Sequence, residues 1–196
     1  MRTLALSLAL EKNADALLSR DPFALLTGML LDQQFPMERA FAGPWTLAGR
    51  LGTPDRLDPV VVAGYDPEAF ADLMSRPPAV HRFPGSMAGR IQGLARVITD
   101  EYDANASALW ETAGSGAELL ARLRALPGFG DQKARIFVAL LGKQLGVRPD
   151  GWREVAGAYG EEGSRRSVAD VVDATSLGEV RSYKQQMKAA KKAATA

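Results

Sequence analysis

The segment LPGFGDQKA, residues 126–134, constrains the fold more than any other part of the sequence. It separates two apolar helical stretches, and Pro127 must end the first because its ring cannot continue the hydrogen-bond ladder. Gly128 and Gly130 supply backbone without side-chain hindrance, which a tight turn needs. Asp131 is suited to cap the second helix. The sequence therefore predicts a helix, a tight turn and a second helix.

A turn of this kind can bind an anion. Its backbone N–H groups lie just ahead of a helix N-terminus and converge on one point, which suits a phosphodiester. Contacts of this type position DNA without reading its sequence. A simple helix stop before another helix is the structural alternative. The residues that we assign to DNA-backbone binding are Leu126, Pro127, Gly128, Phe129, Gly130, Gln132 and Lys133.

The rest of the chain is predicted to be helical, so the fold class is all-α. Asp21-Pro22, Thr53-Pro54 and Asp66-Pro67 each join an N-cap residue to a proline at the first helical position. No run alternates as a strand requires, and VVVA at 60–63 is too short to decide. Between residues 86 and 102 apolar side chains recur at helical spacing, at Met87, Ile91, Leu94, Ala95, Ile98 and Tyr102.

Composition excludes several classes of site. The chain has no cysteine, which rules out disulfides, Cys-ligated zinc and Cys-ligated iron–sulfur clusters within it. Its single histidine rules out a multi-His metal site. No apolar run is long enough to span a membrane. We therefore expect a cytoplasmic protein with no metal bound by cysteine or histidine and no cofactor.

The C-terminal segment is basic although the net charge of the chain is only +1. Residues 181–196 contain Arg181, Lys184, Lys188, Lys191 and Lys192 and no acidic residue. Such a tail can contact phosphate. A solvated or frayed terminal helix is the alternative.

Three segments together resemble a known family. The hairpin string, PFALLTGMLLDQQ at 22–34 and HRFPGSMAGRIQGLARVI at 81–98 are similar to the helix-hairpin-helix DNA glycosylase superfamily, which includes endonuclease III and the adenine and alkylbase glycosylases. The likeness runs over roughly residues 15–155. It implies a two-lobed all-α fold. One lobe would span residues 22–140 and end in the hairpin. Residues 1–21 and 141–196, with the basic tail, would form the other.

The resemblance also implies roles for single residues. Gln34 lies where the family has a glutamine that enters the duplex as the base leaves, and Phe83 lies nearest the family's wedge. Unstacking a base costs about a few kcal/mol, and both side chains would offset that cost. Asp150 stands eighteen residues after Gln132, at the spacing of the family's catalytic carboxylate. An ordinary helix N-cap is the alternative for Asp150.

Gln132 occupies the site of the lysine that some members use as a nucleophile. An amide cannot form a Schiff base. Lys133 would point about 100° away around the helix, so we interpret it as a solvated or phosphate-contacting side chain. The resemblance thus implies a monofunctional enzyme without lyase activity and without the family's cluster, and it is compatible with a monovalent cation at the hairpin.

Other side chains are candidates with an ordinary alternative. Trp152 and Trp45 could line a base pocket, or pack in the core. His81, in the same loop as Phe83, is expected to be an exposed loop residue, with contact to phosphate or base as the alternative. Phosphate contact or simple solvation is expected for Arg82, Arg135 and Lys143, as for Lys133.

A helical enzyme or interaction module unrelated to DNA would require the aligned features to be coincidence. Two DNA-directed functions stay open from the sequence. One is a monofunctional base-excision DNA glycosylase. The other is a non-catalytic protein that binds damaged or distorted duplex through the same hairpin and wedge. Both make double-stranded DNA the partner of a monomeric, nucleoid-associated protein with no membrane contact.

Overall fold

A computed structural model describes residues 5–194. Within that range every regular element is a helix and none is a strand, which confirms the predicted fold class. No helix there is long and apolar enough to cross a bilayer. The α-helices are α1 (Lys12–Arg20), α2 (Pro22–Leu31), α3 (Met37–Arg50), α4 (Pro59–Gly64), α5 (Pro67–Ser75), α6 (Pro84–Glu101), α7 (Ala108–Glu111), α8 (Gly116–Ala125), α9 (Asp131–Gln144), α10 (Trp152–Ala156) and α11 (Ala174–Ala194); short 3-10 helices span Gly157–Gly160 and Val168–Asp170.

Two of the three predicted Asp-Pro or Thr-Pro helix starts are correct. Asp21 caps α2, its side chain accepting from the Ala24 N–H at 3.0 Å, and Asp66 caps α5 in the same way. The start predicted at Thr53-Pro54 is wrong, because the next helix begins at Pro59 under an Asp58 cap. The undecided run VVVA lies in α4.

Two groups of helices share one apolar core. In the first, α1 packs on α2 and α3, and α6 packs on α2, α4 and α5. In the second, α9 packs against α8, α10 and both 3-10 helices. The predicted apolar face of α6 is buried from Met87 to Ile98. The core is continuous across both groups and includes Phe41, Phe70 and Phe137 as its largest fully buried side chains.

The packing of α1 differs from the predicted grouping. The sequence placed residues 1–21 with the C-terminal part, whereas α1 lies against α2 and α3. The division into two lobes stays a prediction, and residues 1–4 and 195–196 of the predicted second lobe lie outside the described residues.

Candidate active site

The predicted hairpin is present between α8 and α9. Gly128 has φ +78°, and a Cβ built on it would lie 2.4 Å from Leu30 Cδ1. The positive φ favours glycine, and the nearby Leu30 side chain leaves no room for a Cβ. Gly130 has φ −73° and open space around it, so nothing in its conformation demands glycine. The turn is therefore seated against α2 through Gly128.

Asp131 does not cap α9, contrary to the prediction. It is the first helical residue, and Gly130 occupies the N-cap. The Asp131 carboxylate instead pairs with Arg124 and with Arg135 Nε, the latter at 2.8 Å. No side chain among the described residues caps α9. Its first N–H groups, beside the exposed Gly128 and Gly130, stay available to an anion.

The apolar residues of the turn point into the protein. Leu126 and Phe129 are both 3% exposed. The Phe129 ring meets Phe137 edge-on, with 6.0 Å between centroids. These two side chains anchor the turn to the core, so any contact that they make with DNA must come from their backbone.

Lys133 is neither solvated nor free to reach phosphate. Its ammonium donates to the carbonyls of Met29 at 2.6 Å, Leu30 at 3.1 Å and Asp32 at 3.3 Å. These are the last carbonyls of α2, where a positive charge is favoured. Burial lowers the pKa of Lys133 to about 8, and the nearby Asp32 opposes that shift. The predicted role is corrected: Lys133 ties α9 to the end of α2.

A cavity of about 780 Å³ lies beside the hairpin. Its walls come from the end of α2, the start of α9, the 3-10 helix Gly157–Gly160 and the middle of α11. The residues that line it include Asp32, Gln34, Phe35, Gln132, Lys133, Tyr159, Arg166, Tyr183, Lys184 and Met187. The cavity thus joins the hairpin to the segment that carries the predicted base-filling glutamine.

Hydrogen bonds order the polar wall of the cavity. Gln132 donates from Nε2 to the Tyr159 hydroxyl at 2.9 Å. Arg166 donates to the Tyr183 hydroxyl at 2.7 Å. Both phenol rings are thereby held where they line the cavity.

Asp32 is the acidic residue of the cavity lining. Burial raises the pKa of the Asp32 carboxyl above its usual range, while the charges of Lys184 and Lys133 lower it and Glu38 adds to the rise. A carboxyl with a raised pKa next to two ammonium groups has the character of an acid–base catalyst.

The two adjacent glutamines have different surroundings. Gln33 is held internally, donating to Leu30 O at 3.0 Å and accepting from Arg90 at 3.1 Å. Gln34 is exposed, has φ +52°, and lies at the rim of the cavity. It also shares a smaller cavity of about 230 Å³ with Phe83. The structure therefore brings together the two residues that the resemblance assigned to base extrusion.

His81 is buried at 2% exposure, not exposed as predicted. Its Nδ1 accepts from the Phe83 N–H at 3.0 Å, and its Nε2 lies 3.0 Å from Gln33 O. The arrangement fits a neutral ring with the proton on Nε2. Burial lowers the pKa of His81. His81 therefore links the loop of Phe83, which is 47% exposed, to the glutamine loop.

Asp150 lies away from the cavity. Its carbonyl accepts from the Gly116 N–H at 2.7 Å, at the start of α8, and its side chain is exposed. The next residues return along α9, since Trp152 packs on Gly142 near the end of that helix. From Gln132 to Gly142 the helix rises about 15 Å. Asp150 is also not the N-cap of α10, because Gly151 holds that position.

The two candidate pocket tryptophans line no part of the cavity. Trp152 is 8% exposed, and a Cβ on Gly142 would lie 2.4 Å from its ring. Trp45 is half-buried against the core in α3. Both follow the core-packing alternative.

Two of the predicted phosphate-contacting residues are engaged within the protein. Arg135 donates to Asp131 and to Val155 O at 2.5 Å. Lys143 forms a buried ion pair of 2.6 Å with Asp170. Arg82 is exposed and lies over the Phe83 ring at 5.3 Å.

Sequence reasoning missed four polar residues of the cavity. Asp32 had a usable signal, since it directly follows the apolar run of α2 and precedes the glutamine pair. The other three had none, because long connections separate them from the hairpin in sequence: Tyr159, Arg166 and Tyr183. Lys184 was predicted as part of the basic tail, and the structure places it in the cavity lining.

No protein-family model, curated protein or solved structure matches the chain.

Proposed function

We propose that this protein is a monofunctional DNA glycosylase that hydrolyses the N-glycosidic bond of an extruded, damaged base, with Asp32 as its catalytic carboxylate instead of Asp150. The observation that carries the proposal is the cavity in which Asp32 lies with Gln132 and Lys133 of the hairpin, with Gln34 at its rim.

DNA-backbone binding and base extrusion are assigned to neighbouring segments, the hairpin turn and the two loops that carry Gln34 and Phe83. The uncapped start of α9 and the Gly128 turn offer N–H groups to a phosphodiester. Gln34 and Phe83, both exposed and lining one small cavity, would occupy the space that the base leaves. Filling that space offsets the cost of unstacking.

The size and lining of the main cavity suit a single base. A volume of about 780 Å³ lies within the range of small-molecule sites. Tyr159, Tyr183 and Phe35 offer aromatic surface for stacking, and the phenol hydroxyls and Gln132 offer edge contacts.

The chemistry assigned to Asp32 is that of a carboxylate beside a developing positive charge. As the N-glycosidic bond lengthens, the sugar gains oxocarbenium character, which an ionised carboxylate stabilises. The same group can take a proton from water as the water oxygen bonds to C1′ and the base departs with the bonding electrons.

A covalent route through the hairpin is not part of the proposal. Gln132 is an amide, and the Lys133 ammonium is occupied by three carbonyls at the end of α2. Direct hydrolysis, leaving an abasic site without strand cleavage, is the reaction that this lining supports.

One observation favours the second candidate function, a non-catalytic protein that binds distorted duplex. Asp150, the carboxylate implied by the family resemblance, lies at the far end of the α8–α9 pair. A protein that retained the hairpin and the wedge without a catalytic carboxylate would look the same at those places.

A lesion panel separates the two functions. Duplexes that each carry one alkylated, deaminated or oxidised base are incubated with excess purified protein, and abasic sites are revealed by alkali. The proposal predicts excision of at least one base, with a loss of about 100-fold or more in Asp32→Asn. Binding to abasic or mismatched duplex with no excision from the whole panel would support the non-catalytic alternative and contradict the enzyme.

A further inference from the structure

We infer that the exposed half of α11 is a second DNA-backbone interface, formed by a lysine stripe (Lys184, Lys188, Lys191 and Lys192) that runs outward from the cavity. The inference rests on the proposed function for the identity of its partner, because it takes that partner to be the duplex whose base enters the cavity.

The stripe is a property of helical spacing. At 100° per residue, Lys184, Lys188, Lys191 and Lys192 fall within an arc of about 100° on one side of α11. They lie in a continuous helix that reaches Ala194. No acidic residue follows Glu179 in the sequence, so the charged side chains of residues 180–196 are all basic.

The outer part of α11 is not held by the core. Its buried residues are Ser176, Leu177 and Val180, all in the first two turns. Beyond them the side chains are exposed apart from the half-buried Tyr183. Arg181 pairs with Glu38 at 2.6 Å, which fixes the helix against α3 just before the stripe begins. The stripe is therefore presented to solvent from a fixed base.

The position of the stripe points to the same ligand as the cavity. Lys184 and Met187 line the same cavity as Gln132 and Lys133 of the hairpin helix. Lys192 lies about 12 Å farther along the helix axis. A duplex seated over the cavity would be contacted by the hairpin turn at one side and by the stripe at the other.

The charge pattern favours a polyanion. Lys184–Lys188 and Lys188–Lys192 are like-charged neighbours at i,i+4, an arrangement that destabilises a helix. Phosphates placed along the stripe would remove that repulsion. A lipid surface is the less suitable partner, because Met187 is the lone large apolar residue of residues 184–194, whereas interfacial helices insert a broad apolar face.

The test is the salt dependence of DNA binding by the full chain. Lys188→Gln, Lys191→Gln and Lys192→Gln are combined in one variant, which leaves the cavity residue Lys184 in place; glutamine keeps helix propensity. Every lysine–phosphate interaction that the substitutions remove should reduce the slope of log K against log salt by about 0.9, so the slope of the triple variant should fall by about 2 to 3. A matched variant removes three exposed charges from other helices or their ends, at Lys12, Arg76 and Arg96, and should keep the wild-type slope.

An unchanged slope in the stripe variant, or an equal change in the matched variant, would overturn the inference. Binding to phosphatidylserine vesicles is measured for the same variants. If the stripe variant lost vesicle binding while the salt slope of its DNA binding stayed unchanged, the stripe would be assigned to a membrane instead. Circular dichroism checks that α11 is still helical. Base excision at saturating protein is measured separately. If the wild-type protein excised no base but the stripe variant showed the change in salt slope, the proposed function would be contradicted and the stripe would not.

Discussion

Replacing Gly128 by alanine should destabilise the protein, whereas the same change at Gly130 should not. The two glycines are two residues apart in one turn and both are exposed. They differ in backbone conformation and in what lies near the missing Cβ. The pair is therefore a matched test of how the turn is seated on α2.

The expected size follows from two terms. Gly128 has φ +78°, and holding a residue with a side chain there costs roughly 1–3 kcal/mol. The new Cβ would lie 2.4 Å from Leu30 Cδ1, and relieving such a clash in a packed region costs about 1–3 kcal/mol. Gly128→Ala should thus lower the free energy of unfolding by about 2–6 kcal/mol, a large part of a typical total. Gly130→Ala meets no neighbouring atom, and its effect should stay within about 0.5 kcal/mol.

Urea denaturation followed by circular dichroism measures both variants, and their affinity for duplex DNA is measured where they are folded. Gly128→Ala should also lower DNA affinity by more than its loss of stability explains. The new methyl group would collide with Leu30, and the turn would have to move away from α2. Equal stabilities for the two variants would refute the description of the turn. Unchanged DNA affinity in a folded Gly128→Ala protein would refute its role in backbone binding.

Three further outcomes follow from the surroundings of single polar side chains. Lys143→Met should cost roughly 1–3 kcal/mol in urea denaturation, because the Asp170 side chain is only 2% exposed and would lose its paired ammonium while keeping the N–H groups of Arg166 and Ser167; little change would show that the pair contributes nothing. Burial lowers the pKa of His81 below its ordinary value of 6.5, so the unfolded chain takes up a proton first and wild-type stability should fall as pH drops below about 6.5. His81→Gln should flatten that fall, and parallel pH profiles would contradict the buried neutral ring. Borohydride should trap no adduct with abasic DNA, because Gln132 is an amide and Lys133 is bound to carbonyls; a trapped complex would contradict direct hydrolysis.

Local features of this fold could be predicted from sequence because their physics is local. The break before Pro127 and the caps at Asp21 and Asp66 each depend on a few adjacent residues. The apolar face of α6 follows from spacing alone. The helix start predicted at Thr53-Pro54 is wrong because a second start signal, Asp58-Pro59, follows closely. The helix begins at that second signal, with Asp58 as its N-cap.

Long-range placement could not be predicted in the same way. Nothing adjacent to Lys133 in sequence indicates that its ammonium meets carbonyls about a hundred residues earlier. Nothing adjacent to His81 in sequence indicates that its Nε2 meets the Gln33 carbonyl. The spacing of eighteen residues from Gln132 to Asp150 was a one-dimensional match, and the path of the loop after α9 leaves Asp150 beside Gly116. The position of a carboxylate relative to the hairpin depends on how the connections run, which is why spacing selected Asp150 although Asp32 is the carboxylate that lines the cavity.

The proposed function depends on Asp32 performing the chemistry in the cavity. Single-turnover excision rates on the base found in the lesion panel should be compared for wild type, Asp32→Asn and Asp150→Asn, each with its melting temperature as a folding control. Asp32→Asn should lose about 100-fold or more, while Asp150→Asn should stay within about twofold because Asp150 does not line the cavity. The reverse pattern, a near-normal Asp32→Asn and an inactive Asp150→Asn in a folded protein, would contradict the assignment of the chemistry to Asp32.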